Sequence, residues 1–200
     1  MKRMDMRDAV SRGVHAALEV VRRRYEIAED TYMRLPFHNT RHTEGVVERV
    51  CAVGRRLVAS GEMTAHDLDI AILAGAYHDT VQKWRPAIER LDADTRTWTE
   101  CAERLYLTEE EKSSGTYRVM RKRFIGANEA ASIDEAVAYM ESVNQSLSPT
   151  VFSDTDMNLV REAIDATVTG FDTARKTVVQ PLLTSDSSGV ARVVSLAEFL

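Results

Sequence analysis

The sequence predicts an all-α fold, a single compact helical domain over residues 1–200, and three observations predict it. Apolar residues recur at three-to-four spacing along most of the chain, while period-two alternation is scarce. The prolines, at 36, 86, 149 and 181, all stand where they can punctuate helices instead of interrupting them. A chain of 200 residues is long enough to bury one core without disulfide or zinc staples.

Helices are expected near 6–24, 41–60, 65–78, 97–106, 127–144, 155–169 and 187–200. The second buries Val46, Val50, Val53 and Leu57 on one face. Before it, Pro36 bars a helical turn in Leu35-Pro36-Phe37-His38-Asn39-Thr40, and Asn39 or Thr40 can cap. The third, Ile70 to Tyr77, is apolar around most of its circumference, which marks a central, buried element. Thr64 followed three residues later by Asp67 reads as a capping-box start for it, so His66-Asp67 needs no further role. Thr108 to Gly126 is the most polar stretch and is expected to hold a loop or an irregular helix pair. Asp186 is read as the start of the last helix.

The net charge of −5 argues against nucleic acid as the main partner. The clusters Arg22-Arg23-Arg24 and Arg121-Lys122-Arg123 read first as solvated faces, although the second leaves a phosphate contact open. No stretch suits a membrane span or a signal peptide, which leads to an expected cytoplasmic location. Cys51 and Cys101 follow no metal or disulfide pattern and read as reduced thiols.

His42 stands four residues before Val46 and projects from the same stripe. His38 lies on the loop entering that helix, so both imidazoles can approach one cavity. His78-Asp79 closes the buried third helix. A histidine and an ionised aspartate at a buried helix end are costly unless paired or coordinated, and a divalent cation supplies that compensation. Glu129 is a charged residue on the stripe of Ile133, Val137 and Met140. It reads either as a helix-start glutamate or as a carboxylate facing the cavity. Thr167, three residues after Ile164, reads as a pocket residue or as a hydroxyl bonded to its own helix.

Phe37-His38-Asn39-Thr40-Arg41-His42, then His78-Asp79, then Asn128-Glu129-Ala130-Ala131-Ser132 resembles the HD metal-dependent phosphohydrolase superfamily. The likeness is to its small bacterial members, whose His-Asn-x-x-His element is shared with cyclic-nucleotide phosphodiesterases. The resemblance implies an HD-type helical domain with His42, His78 and Asp79 as metal ligands and a later aspartate as the fourth. Val193-Val194-Ser195-Leu196-Ala197-Glu198 carries a glutamate there. Glu198 is the expected fourth ligand, with Asp186 as runner-up. The chain stops two residues later, so any helix backing the site in the family is expected to be missing or trimmed.

The implied activity is metal-assisted hydrolysis of a phosphoester, with His38 as general acid, Asp79 holding the nucleophilic water as well as the metal, and Glu129 as a further catalytic carboxylate. Asn39, Lys83, Arg123, Asn128 and Thr167 are the candidate substrate contacts. With five histidines in the chain, one tightly bound divalent ion (Mn, Fe, Mg, Ni or Zn) is expected per chain. The expected partner is a small phosphorylated substrate, a nucleotide first, with homodimerisation left open. The competing reading is a non-catalytic nucleotide- or phosphate-binding HD module with a degenerate metal site.

Overall fold

The computed structural model describes residues 5–29, 34–101, 104, 106–147 and 149–200. The chain divides into two compact units, Met1–Val81 with Ile125–Leu200, and Gln82–Phe124.

The larger unit carries α1 (Met6–Val21), α2 (Thr40–Ser60), α3 (Ala65–Tyr77), α5 (Ala127–Ser146), α6 (Asp154–Asp165) and α7 (Gly189–Phe199). It also holds a hairpin of β4 (Gly170–Asp172) and β5 (Thr177–Val179). α3 is its axis: Ile70, Ala71, Leu73, Ala74, Gly75, Ala76 and Tyr77 are all buried, as its all-round apolar sequence requires. α1, α2, α5, α6 and α7 pack around it. α2 comes especially close, because a Cβ on Gly75 would stand 3.2 Å from Val50 Cγ2. That approach brings the start of α2 towards the end of α3.

The first predicted helix departs from its expected form at residue 22, where α1 widens into a π-helical turn, Arg22–Glu26. The wider turn re-aims three side chains. Tyr25 Oη and Arg24 Nη1 donate to the carbonyl of Thr80 at 3.0 and 2.8 Å, and Arg24 pairs with Glu135 at 2.7 Å. Glu26 Oε1 accepts from the N–H and hydroxyl of Thr40 at 2.6 and 2.7 Å, tying the turn to the start of α2. All three arginines of the first basic cluster are exposed, as the solvated reading expects; Arg22 and Arg23 pair with Glu19, and Arg24 also anchors to Thr80 and Glu135.

Capping follows the sequence at α3, where Thr64 and Asp67 form the expected box. At α7 it does not. Ser188 accepts from the Ala191 N–H at 3.1 Å and donates its own N–H to Glu162 at 2.8 Å, so Ser188, not Asp186, starts the helix. At α6, Ser153 and Asp156 form a box, and His66 Nε2 reaches Asp156 Oδ1 at 2.6 Å. Burial works against the Asp156 charge, but the bonds from Ser153 and His66 outweigh it and hold the carboxyl below its ordinary value. A lowered folded value means that this stabilisation is present above the unfolded pKa near 3.9 and is lost as pH falls through the folded one. Asp156→Ala should cost on the order of 1 kcal/mol in urea unfolding at pH 7. The gap to the unaltered protein should narrow as the pH is taken from 5 to 3. A gap that is constant over that range would remove the ionised cap from the account.

The all-α expectation is overturned by two small antiparallel sheets, one of three strands and one of two. The three-stranded sheet makes up most of the smaller unit: β1 (Trp84–Leu91) lies between β2 (Trp98–Glu100) and β3 (Tyr117–Arg123), in order β2-β1-β3. The helix expected at 97–106 is replaced by β2 at its start, and the helix pair or loop expected at 108–126 is α4 (Glu109–Ser113) followed by β3. Period two fails to show because Ala87, Ile88 and Glu89 are buried in succession and β3 has no buried residue at all. Pro86, read as helix punctuation, lies in β1. The pairing with β2 covers Glu89 to Leu91 only, so Pro86 occupies a stretch that is an edge on that side, where a sheet tolerates proline. One sheet face carries a ladder of charge. Glu89 pairs with Arg118 and Lys122, Glu100 with Lys122 and Arg85, and the Arg118 guanidinium lies 4.3 Å from the Trp98 ring centroid.

Candidate metal centre

Three helix ends deliver the candidate ligands. Asn39 caps α2, accepting the His42 N–H at 2.9 Å, while its own amide donates to the Pro36 carbonyl at 2.7 Å. His42 thus stands in a fixed first turn. His78 follows the last residue of α3, and its Nδ1 lies 2.7 Å from the Gly75 carbonyl. A carbonyl only accepts, so Nδ1 donates to it and Nε2 is the ring nitrogen turned towards the carboxylates. The next turn is held at Thr80 by Arg24 and Tyr25, and at Val81, whose N–H donates to Ser132 Oγ at 3.0 Å. Asp79 is thereby fixed at 3% exposure. Glu198 comes from the last turn of α7.

The four side chains meet. His42 Nε2 lies 3.3 Å from Asp79 Oδ2 and 3.4 Å from Glu198 Oε2; His78 Nε2 lies 3.3 and 2.8 Å from the same two oxygens. Ligand atoms held about 2.1 Å from one ion stand roughly 3.0 Å apart at an octahedral corner and roughly 3.4 Å apart in a tetrahedron. Three of the four spacings fit that range, and the fourth, His78 Nε2 to Glu198 Oε2 at 2.8 Å, is slightly shorter. Yet His42 Nε2, His78 Nε2 and Glu198 Oε2, all buried, make no directional hydrogen bond. With Asp79, their ligand atoms all lie within 4.8 Å of one another. His42, His78, Asp79 and Glu198 form a group that can hold a metal ion.

The electrostatics run the same way. Burial opposes charge on every member, but the neighbours prevail. The carboxylates of Asp79 and Glu198 raise His42 above its ordinary value and His78 well above it. The imidazoles, with His38 added at Asp79, hold Asp79 well below the carboxylate range and Glu198 down to about 2. Two ionised carboxylates that favour positive charge beside them make this a cation-seeking pocket.

His38 joins from outside the group, its Nδ1 lying 2.6 Å from Asp79 Oδ2. The exposed Phe37 ring lies against both upstream imidazoles, its centroid 5.2 Å from His38 and 4.5 Å from His42. Other residues singled out in the sequence lie outside the four-residue group. Glu129 is fully buried and its Oε2 accepts the Gly126 N–H at 2.7 Å, the helix-start arrangement. Asn128 is buried beside it, and Thr167 donates its hydroxyl to the Ile164 carbonyl at 2.7 Å. Asn39 uses both ends of its amide to fix the loop and cap the helix. Lys83 and Arg123 belong to the smaller unit, at the end where Trp84 faces Arg123 across the ladder. Asp186 is exposed on the approach to α7.

Sequence reasoning passed over Ser132 as a support, although it is the serine of the quoted Asn-Glu-x-x-Ser element. It also passed over Arg49, seven residues after His42 and so on the same face of α2.

No family model matches this chain, and neither a curated protein nor a solved structure matches it. Among the described residues no helix is long and apolar enough to cross a membrane. Cys51 and Cys101 are free thiols.

Proposed function

We propose that the protein is a metal-dependent phosphohydrolase of the HD type, acting on a small phosphoester, a nucleotide first. The observation that carries this reading is the meeting of four ligand atoms from α2, α3 and α7, with His38 bonded to one of the four residues from outside. His42, His78, Asp79 and Glu198 would hold the ion. Two imidazoles and two carboxylates suit Mn, Fe, Ni or Zn ahead of Mg. When bound, such an ion polarises a phosphoryl oxygen and makes water acidic enough to supply a nucleophile near neutral pH.

The chain's own contribution is position and proton transfer. Asp79 accepts from His38 Nδ1, which orients the ring and leaves Nε2 as the nitrogen that gives and regains a proton. From that nitrogen the ring protonates the leaving oxygen.

Metal analysis of the purified protein, joined to a phosphate-release panel, tests the reading. The panel spans nucleoside monophosphates, cyclic nucleotides, nucleoside triphosphates and sugar phosphates, each with Mn, Mg, Ni, Fe or Zn. About one ion per chain and metal-dependent release from one class is the expected result. Bound metal with no release from any class would turn the reading to a phosphate-binding module, and absence of metal binding would end it.

A further inference from the structure

We propose that Arg49 and Gln180 are positioning residues of the metal centre, pinning the last turn of α7 so that Glu198 meets His42 and His78. The inference rests on Glu198 being a ligand. Among the four, Glu198 has the weakest inherent support. His42 lies in a capped first turn, and His78 and Asp79 follow a helix buried on every side. Glu198 sits in a last helical turn, whose carbonyls have no intrahelical donors and whose residues fray by default.

Side chains from elsewhere hold that turn. Arg49 Nε donates to the Ala197 carbonyl at 2.6 Å, and Gln180 Nε2 donates to the Ser195 carbonyl at 3.2 Å. Ser195 Oγ donates in turn to the Ala166 carbonyl at 2.7 Å, which fixes the helix to the end of α6. The backbone is therefore tied directly before Glu198 and again three residues earlier. A guanidinium at a helix carboxyl end also complements the helix dipole.

Arg49 reaches this place because of where it stands on α2. It follows His42 by two helical turns on one face, so the helix that presents one ligand also carries the donor that fixes another. Its side chain lies along α2 over Gly45, where a Cβ would stand 3.0 Å from Arg49 Nη1. Glutamate has a long, flexible side chain. Its oxygen can hold a place 2.8 Å from His78 Nε2 and 3.4 Å from His42 Nε2 only if its own Cα is fixed. Neither Arg49 nor Gln180 gives an atom to the ligand group, so both act through Glu198.

The test is the Zn²⁺ affinity of the full chain, by competition with a chromophoric chelator, with the melting temperature in chelator as the control for folding. Arg49→Met keeps the aliphatic stem and removes the donor. It should weaken Zn²⁺ about 10–100-fold, the usual cost of losing a group that orients a ligand, with the metal-free melting temperature little changed. Arg49→Lys should recover part of the loss. In a Glu198→Gln background Arg49→Met should add nothing, since no ionised ligand remains to be positioned. Full Zn²⁺ affinity in Arg49→Met, alongside weakened binding in Glu198→Gln, would overturn the clamp while leaving the metal centre intact. Equal losses in both backgrounds would also overturn it, because Arg49 would then act without Glu198. Unchanged affinity in Glu198→Gln would remove the ligand itself, and the clamp with it. If Arg49→Met does not fold, Gln180→Ala carries the same cycle against Glu198→Gln.

Discussion

His78→Ala should empty the metal site and abolish metal-dependent turnover, the largest effect expected of any single substitution here. Losing a group that merely orients a ligand costs 10–100-fold in metal affinity, and loss of the ligand should exceed that. His78 faces both carboxylates, at 3.3 Å from Asp79 and 2.8 Å from Glu198, and has its other nitrogen committed to Gly75, so no nearby rotation replaces it. The thermal signature separates metal loss from general damage. A metal present at a hundredfold its dissociation constant adds about 2.7 kcal/mol, which for a chain of this size is roughly 5–10 °C in Tm. Chelator should lower the Tm of the unaltered protein by about that much and should leave His78→Ala unmoved. Full metal occupancy in His78→Ala would sink the assignment of the centre.

His38→Ala should do the reverse, keeping the metal and losing turnover by about 10²–10⁴-fold. The ring touches Asp79 through Nδ1 but contributes nothing to the four-residue group, so the ion has the same donors after the change. Turnover falls because the leaving oxygen no longer receives a proton. A nitrophenyl ester, whose leaving group departs as the anion, should suffer far less than a nucleotide. His38→Asn, whose amide can still donate to Asp79, separates orientation from acid catalysis. It should hold metal as the parent does and remain as slow as His38→Ala on a nucleotide. Loss of metal from both His38 variants would make His38 a ligand and reverse the roles.

The parts of this protein that were legible in advance share a local cause. α2 and α3 were readable because an apolar stripe and a cap lie within one stretch of chain, α5 because of its stripe alone, and Thr64-Asp67 named its own capping box. His42, His78 and Asp79 were legible for a related reason. Each sits at the end of a helix whose buried face is written in nearby residues, and a charged pair at such an end asks for a partner. The strands were not legible, and the all-α expectation failed on them. β4 and β5 are three residues each, and β1 and β3 keep no alternation between a wet and a dry face.

The remainder was decided in three dimensions. Nothing near residue 198 says that its carboxylate meets an imidazole at residue 78; that depends on α7 lying beside α2 and α3, and on Arg49 reaching Ala197 across 148 positions of sequence. Arg24 is solvated like its two neighbours, but only the π-helical turn shows that it also reaches Thr80, next to Asp79. Periodicity and capping energies act within a helical turn or two, so a linear sequence displays them. The separation between ligand atoms is set by how distant helices pack, and a sequence displays only the faces that must meet, not the distance at which they do.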